Sequence, residues 1–260
     1  MKLISLNAWG GKLNGPLIEF VTKNVETTDI FCFQEIYFSA TPRPDVVWVE
    51  ADLAAELQKA LLGFSMFGRL ADEKDLSADS SGADEDVRTG ETIFVKNNLH
   101  VVEQGGFHTY VSDHESAEEN IQPVTGNFLF VKIQSSQGDY LIGNIHGLWL
   151  PGSKDDTPKR IEQSRRLEEF LADRKEKAII CGDFNLAPKT ESIRLLESGM
   201  RDLIKEYDIQ TTRSRYYADM EKYKDYIADY AFASEDVQVL NFNVLSDEVS
   251  DHLPLAIEFH

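Results

Sequence analysis

Ala178-Ile179-Ile180-Cys181-Gly182-Asp183-Phe184-Asn185 runs four apolar residues into a glycine and then alternates acid, aromatic and amide. A short apolar run closed by glycine reads as a buried strand. A core has no use for an aspartate and an asparagine directly after such a run. Asp183 and Asn185 are two apart, so from an extended segment both side chains can point the same way. One can then orient water or take a proton while the other donates an amide hydrogen to a phosphate oxygen. The same tetrapeptide would also serve as an ordinary Asx turn, so its meaning depends on what accompanies it.

Other strand ends supply the company. Lys2 to Leu6 reads as a buried strand ending at Asn7, and Ile30-Phe31-Cys32-Phe33 as another ending at Gln34-Glu35. Leu141 to Ile145 runs into His146, and Ser250-Asp251-His252 precedes a last strand from Leu253 to Phe259. Glu35 belongs at the rim of a sheet, where a carboxylate suits a hard divalent cation that also keeps water and substrate oxygens. An imidazole held by a carboxylate has a fixed tautomer and a supported cationic form. Because neighbours on a strand face opposite ways, His252 is expected to pair with Asp229, ahead of Tyr230-Ala231-Phe232, and Asp251 to turn towards metal.

Between these points the chain alternates strands with a few helices. Helices are expected over Pro16–Val25 (capped by Asn14), Asp52–Leu62, Pro158–Leu171 and Glu191–Glu197. Strands are expected over Phe64–Leu70, Glu91–Lys96, His100–Gly105, Asn127–Gln134, Tyr140–His146, Lys177–Gly182, Ile227–Ala233 and Gln238–Val244. Residues 71–90, crowded with Asp and Glu and nearly free of apolar residues, read as a solvated loop. Gln210–Asp225 also reads as loop. Many strands, few helices and no linker suggest one α+β domain over residues 1–260.

The net charge of −19 gives no general basic excess to displace counterions from a polyanion, which disfavours a processive duplex nuclease. Basic residues gather modestly at Lys154, Lys159, Arg160, Arg165 and Arg166, expected as a solvated face. A second group is Arg213, Arg215, Lys222 and Lys224, around Tyr216-Tyr217. Cys32 and Cys181 lie in apolar runs and are expected free and buried. The N-terminus has no cleavage signature, and no apolar stretch nears the ~20 residues of a membrane span. A cytoplasmic protein without membrane anchoring or an obligate protein partner is the expectation.

Taken in order, Leu6-Asn7, Gln34-Glu35, Asn144-Ile145-His146, Gly182-Asp183-Phe184-Asn185, Asp229-Tyr230 and Ser250-Asp251-His252 resemble the endonuclease/exonuclease/phosphatase (DNase I-like) superfamily over nearly the whole chain. The resemblance implies a four-layer αββα sandwich with two packed mixed sheets. It also implies hydrolysis of a phosphate ester with Mg2+, or Mn2+, held near Glu35, Asn7 and Asp251. Asp183 would activate the attacking water, Asn185 bind phosphate, and His252 with Asp229 stabilise charge on the phosphoryl oxygens. His146 would protonate the leaving oxygen, with Glu91 as its acidic partner. Many members carry an arginine two residues before the Asp-Tyr aspartate, whereas this chain has Ile227. The substrate could be a nucleic acid, a nucleotide or a lipid head group. Trp9-Gly10 resembles the opening of the sphingomyelinase-like branch, which makes a phospholipid phosphodiesterase the alternative, with Trp149 lining the cleft. A non-catalytic scaffold of the same fold is the remaining reading.

Overall fold

A computed structural model describes residues 1–39, 49–70, 87–110, 126–150, 152–217 and 227–260. Period-2 alternation in the apolar strands separates two cores. In β1 (Lys2–Asn7), β2 (Ile30–Ser39) and β4 (Val87–Lys96), residues Leu3, Ile30, Cys32, Ile93 and Val95 face the sandwich interior. Their neighbours Ile4, Leu6, Phe31, Phe33 and Phe94 face outward, under α1 (Asn14–Asn24) and α2 (Leu53–Ala60). Strands buried on both faces read as unbroken apolar runs for this reason.

The first sheet has the order β11-β12-β1-β2-β4-β3, with β3 at Phe64–Leu70, β11 at Val239–Val244 and β12 at Leu255–Phe259. The second has the order β5-β6-β7-β8-β10-β9. Its strands are β5 (His100–His108), β6 (Asn127–Gln134), β7 (Tyr140–His146), β8 (Lys177–Asp183), β9 (Arg201–Asp202) and β10 (Asp229–Ala233). Each sheet holds one parallel pair at its centre, β1 with β2 and β7 with β8, among antiparallel neighbours. Helices α3 (Pro158–Ala172), α4 (Glu191–Glu197) and α5 (Leu203–Glu206) contribute Leu167, Ile193, Leu196 and Leu203 to the core on the side of the second sheet. The α+β sandwich of two mixed sheets expected from the sequence is thus present.

Some local expectations shift. Asn14 does not cap α1; Leu13 holds that position without a side-chain bond, and Asn14 Nδ2 donates to Glu50 Oε2 instead, at 3.2 Å. The acidic stretch 71–90 lies outside the described residues up to 86, and its remainder already belongs to β4. Of the expected loop Gln210–Asp225, residues 218–225, with Lys222 and Lys224, are outside the described residues; within 210–217 an isolated bridge joins Arg213 to His252. The pair β9–α5 escaped the sequence reading because two residues leave no period, although Asp202 caps α5 through the Ile204 and Lys205 amides. Cys32 and Cys181 are free and buried, and burial, then the neighbouring Cys181 thiol, pushes the Cys32 thiol well above its ordinary value.

Candidate active site

The two parallel pairs place their C-terminal ends together. Asn7 stands opposite Gln34 in the first sheet, and His146 opposite Asp183 in the second. β10 runs the other way and sets Asp229 opposite Asp183 at its start. Gly182 makes the close approach possible: its φ is +136°, and a Cβ there would lie 2.1 Å from the Ile145 carbonyl oxygen.

Glu35 reaches the site through a β-bulge. The β2–β4 register slips between Phe33 and Ile36, and Glu35 sits at φ 56°. The carbonyls that the slip would strand are taken up from the other sheet. Asn144 of β7 donates through Nδ2 to Phe33 O (2.9 Å) and Thr92 O (3.0 Å), and its Oδ1 accepts from Gln34 Nε2 at 2.5 Å. A buried carbonyl left without a donor costs about 1–3 kcal/mol, so Asn144 fixes the bulge as well as bridging the sheets.

Asn7 is oriented by the turn that follows it. The Trp9 amide donates to Asn7 Oδ1 (3.0 Å), which leaves Nδ2 to donate to Glu35 Oε1 (3.0 Å) and Asp183 Oδ2 (3.3 Å). Asn7 thereby orients Glu35, and its oxygen keeps a second lone pair. Trp9, with φ 51° and Lys12 Nζ 4.3 Å over its ring, serves this turn.

Asp183, Asp229 and His252 form a buried group whose ligand atoms all lie within 4.8 Å of one another. His252 Nδ1 is 2.7 Å from Asp229 Oδ1, the pairing anticipated from strand alternation. Thr212 Oγ1 donates to the other Asp229 oxygen at 2.6 Å. Since Asp229 takes the Nδ1 proton, Nε2 carries the lone pair, and Arg213 Nη1 donates to it. Burial, then Arg213, holds His252 well below its ordinary pKa. The cationic form expected from the sequence is therefore disfavoured, and the fixed positive charge beside the aspartates is Arg213. Burial, then Asp229, pushes the Asp183 carboxyl up, but His252, Lys154 and Arg213 outweigh both and leave it below the ordinary value. Burial raises Asp229, against Arg213.

Asn185 also differs from expectation. Its Nδ2 donates to Gly147 O at 2.9 Å and its Oδ1 accepts from Lys154 Nζ, so the group it holds towards the cavity is an ammonium. Lys154 and Arg160, expected on a solvated face, are 6 % and 1 % exposed. Arg160 Nη1 braces the segment carrying Lys154 by donating to Ser153 O (2.8 Å) and Asp155 O (2.7 Å). Neither Lys154 nor Arg213 was legible as a site residue, because a cation in a polar stretch looks the same whether it faces solvent or a cavity. The stretch supplying Arg213 lies far in sequence from Ile227, so the arginine motif gave no pointer to it. Its guanidinium lies 4.2 Å over the Tyr217 ring, and Arg215 lies 5.0 Å over Tyr216. Tyr216 and Tyr217 thus each hold an arginine on their faces.

His146 Nδ1 is 3.7 Å from Glu91 Oε1, and its Nε2 is 3.8 Å from Glu35 Oε1. Glu91 is wholly buried. Glu35 and His146, with Tyr37, Trp149, Lys154, Asp183, Arg213 and Tyr217, line a cavity of about 250 Å3.

Burying Lys154 has a measurable consequence. Burial lowers its pKa from 10.5 to about 8. Between those values the unfolded chain binds the extra proton, so stability rises as pH climbs through that window. Below about pH 8 the buried ammonium costs roughly 3 kcal/mol by this linkage. Lys154→Met should be more stable than the parent at pH 7, and the advantage should shrink by pH 10. Urea unfolding at both values checks this, and a less stable variant at pH 7 would refute it.

A sequence profile of the Endonuclease/Exonuclease/phosphatase family matches residues 4–252. The chain belongs to this family. Members of the endonuclease/exonuclease/phosphatase family are phosphoester hydrolases, typically dependent on a divalent metal. A family protein from Leptotrichia buccalis superposes with a TM-score of 0.72 at 14% identity, covering 100% of this chain and 99% of that one. A mannosyl-6-phosphatase of Bacteroides thetaiotaomicron gives 0.67 at 18%, with 100% and 99% covered. The human Nocturnin catalytic domain gives 0.64 at 15%, with 100% and 94% covered. At these identities the likeness is one of fold. No curated sequence matches the chain.

The residues fit the divalent ion typical of the family. Asp251 is pushed up to about 7, first by burial and then by Glu35. Two hard carboxylates held at mutual cost are what a cation relieves. The Asp183–Asp229–His252 group is tighter, but Arg213 and Lys154 already neutralise it. Glu35 and Asp251, the carboxylate ligands expected from the sequence, stand as candidates beside that group.

Proposed function

We propose that the protein is a phosphoester hydrolase dependent on Mg2+, with Mn2+ able to replace it, held by Glu35 and Asp251. The bound ion would neutralise the phosphate and act as a Lewis acid. Asp183 takes a proton from water; its place at the cavity in the buried group with Asp229 and His252, their ligand atoms within 4.8 Å of one another, is the observation that carries this reading. His146, between Glu35 and Glu91, stands where it can hand a proton to the leaving oxygen. His252 is fixed by Asp229 and Arg213 as a neutral imidazole, with Arg213 facing the charge that grows on the phosphoryl group. Asn185 works through Lys154.

A cavity of this size, in a chain of charge −19, suits a small substrate better than a duplex. A cytoplasmic protein without membrane anchoring or an obligate partner remains our reading; no described helix is long and apolar enough to cross a membrane. The test is hydrolysis of DNA, RNA, a phosphodiester, a phosphomonoester and sphingomyelin micelles with Mg2+, Mn2+ or EDTA. Metal-dependent turnover of one class is expected. A folded protein that turns over none of them would leave the scaffold reading in its place.

A further inference from the structure

Resting on the hydrolase reading, the substrate class can be narrowed by the two buried cations. Lys154 and Arg213 reach the cavity from separate segments, one from the turn before α3 and one from the bridge to His252. Each is individually held. Lys154 is fixed by Asn185, and its segment is braced by Arg160. Arg213 is fixed by His252 and by stacking on Tyr217. Both cations balance the charge of Asp183 and Asp229, and both line the cavity, where their N–H groups can meet an anion. Glu35, the proposed metal ligand, lines the same cavity.

The two cations, and the metal proposed at Glu35, face one small space. A phosphomonoester presents three unesterified oxygens, and charge spreads over all three as phosphoryl transfer proceeds. A diester presents two, so one of these positive groups would be left without an oxygen to bind. The volume of about 250 Å3 is also below the ~300–1,000 Å3 of clefts that engulf drug-sized ligands. Trp149, 42 % exposed, stands at the cavity lining where a single organic substituent can rest against its ring.

We propose that Lys154 and Arg213 clamp two oxygens of a terminal phosphate, so that the substrate is a small phosphomonoester rather than a phosphodiester. Water then adds to phosphorus as the single ester bond breaks; Asp183 receives the water proton and the leaving oxygen takes one from His146. The products are inorganic phosphate and an alcohol.

The experiment has two readouts. The first compares kcat/KM for p-nitrophenyl phosphate and bis-p-nitrophenyl phosphate with Mg2+ or Mn2+, in the parent, Lys154→Met and Lys154→Arg. One charge-assisted hydrogen bond corresponds to roughly 10–100-fold, so the monoester is expected to lead by about a hundredfold. Lys154→Met should cut that ratio at least tenfold, and Lys154→Arg should restore part of it. A diester turned over as well as the monoester, or a ratio unchanged in Lys154→Met, overturns the clamp. The second readout is calorimetric binding of inorganic phosphate and of dimethyl phosphate to the metal-free protein. Tighter binding of inorganic phosphate, lost in Lys154→Met, upholds the clamp even if neither ester is hydrolysed, in which case the hydrolase reading fails alone. Equal binding of the two anions overturns it.

Discussion

Asp183→Asn should lower kcat by about 10^3–10^4-fold, the upper part of the range for removing a general base, with much less effect on KM. The side chain has no slack in its bonding. One oxygen accepts from the Asn185 amide at 2.9 Å, and the other from Asn7 Nδ2 at 3.3 Å. An amide of the same shape must turn an NH2 towards one of those donors, which costs about 1–3 kcal/mol of stability but leaves the core intact. Circular dichroism should therefore show a folded protein with a lowered midpoint. Turnover within tenfold of the parent would remove Asp183 from the proton path, and a loss confined to KM would make it a binding group.

Glu35→Gln should abolish the stabilisation that Mg2+ confers. At a hundredfold excess over its dissociation constant, a ligand specific to the native state adds about 2.7 kcal/mol. For a chain of this size that is a rise in midpoint of about 5–10 °C. The glutamine keeps an oxygen for Asn7 Nδ2, so the bulge and its network persist, while the negative charge that crowds Asp251 is gone. The metal-free variant should accordingly melt no lower than the metal-free parent. Thermal unfolding with and without Mg2+, alongside turnover, measures both effects. A variant that still gains the full shift would move the ion away from Glu35.

Much of this architecture is legible in the sequence, for reasons tied to particular residues. Runs such as Ile30–Phe33 and Ala178–Cys181 are buried on both faces, and a polar residue at the end of such a run has few reasons to be there other than chemistry. The contact between His252 and Asp229 could be anticipated, although residues 250–252 lie before the strand and Asp251 Oδ1 also stands 3.9 Å from His252 Nε2. The positions of Lys154, Arg160 and Arg213 could not. Their burial is decided by segments that meet only after the sheets have packed. The neutral state of His252 depends on Arg213, 39 residues away in sequence. Asn185 shows a finer limit: the residue is where the motif places it, yet its amide also meets Gly147 and Lys154, which no spacing reveals.

The bulge in β2 gives the arrangement a grammar of its own. Phe31 and Phe33 face outward, and so do Ile36 and Phe38, so the alternation skips one beat between 33 and 36. Glu35 is that extra beat. Strike it out and the strand scans without interruption, Phe31, Phe33, isoleucine, phenylalanine on one face, with Gln34 still facing Asn144 on the other. The acid is therefore written into the strand as an insertion that the packing does not require. Architecture and reactivity can be separated here by a single codon: a strand lacking it keeps the packing of the sandwich and loses the Glu35 carboxylate from the site.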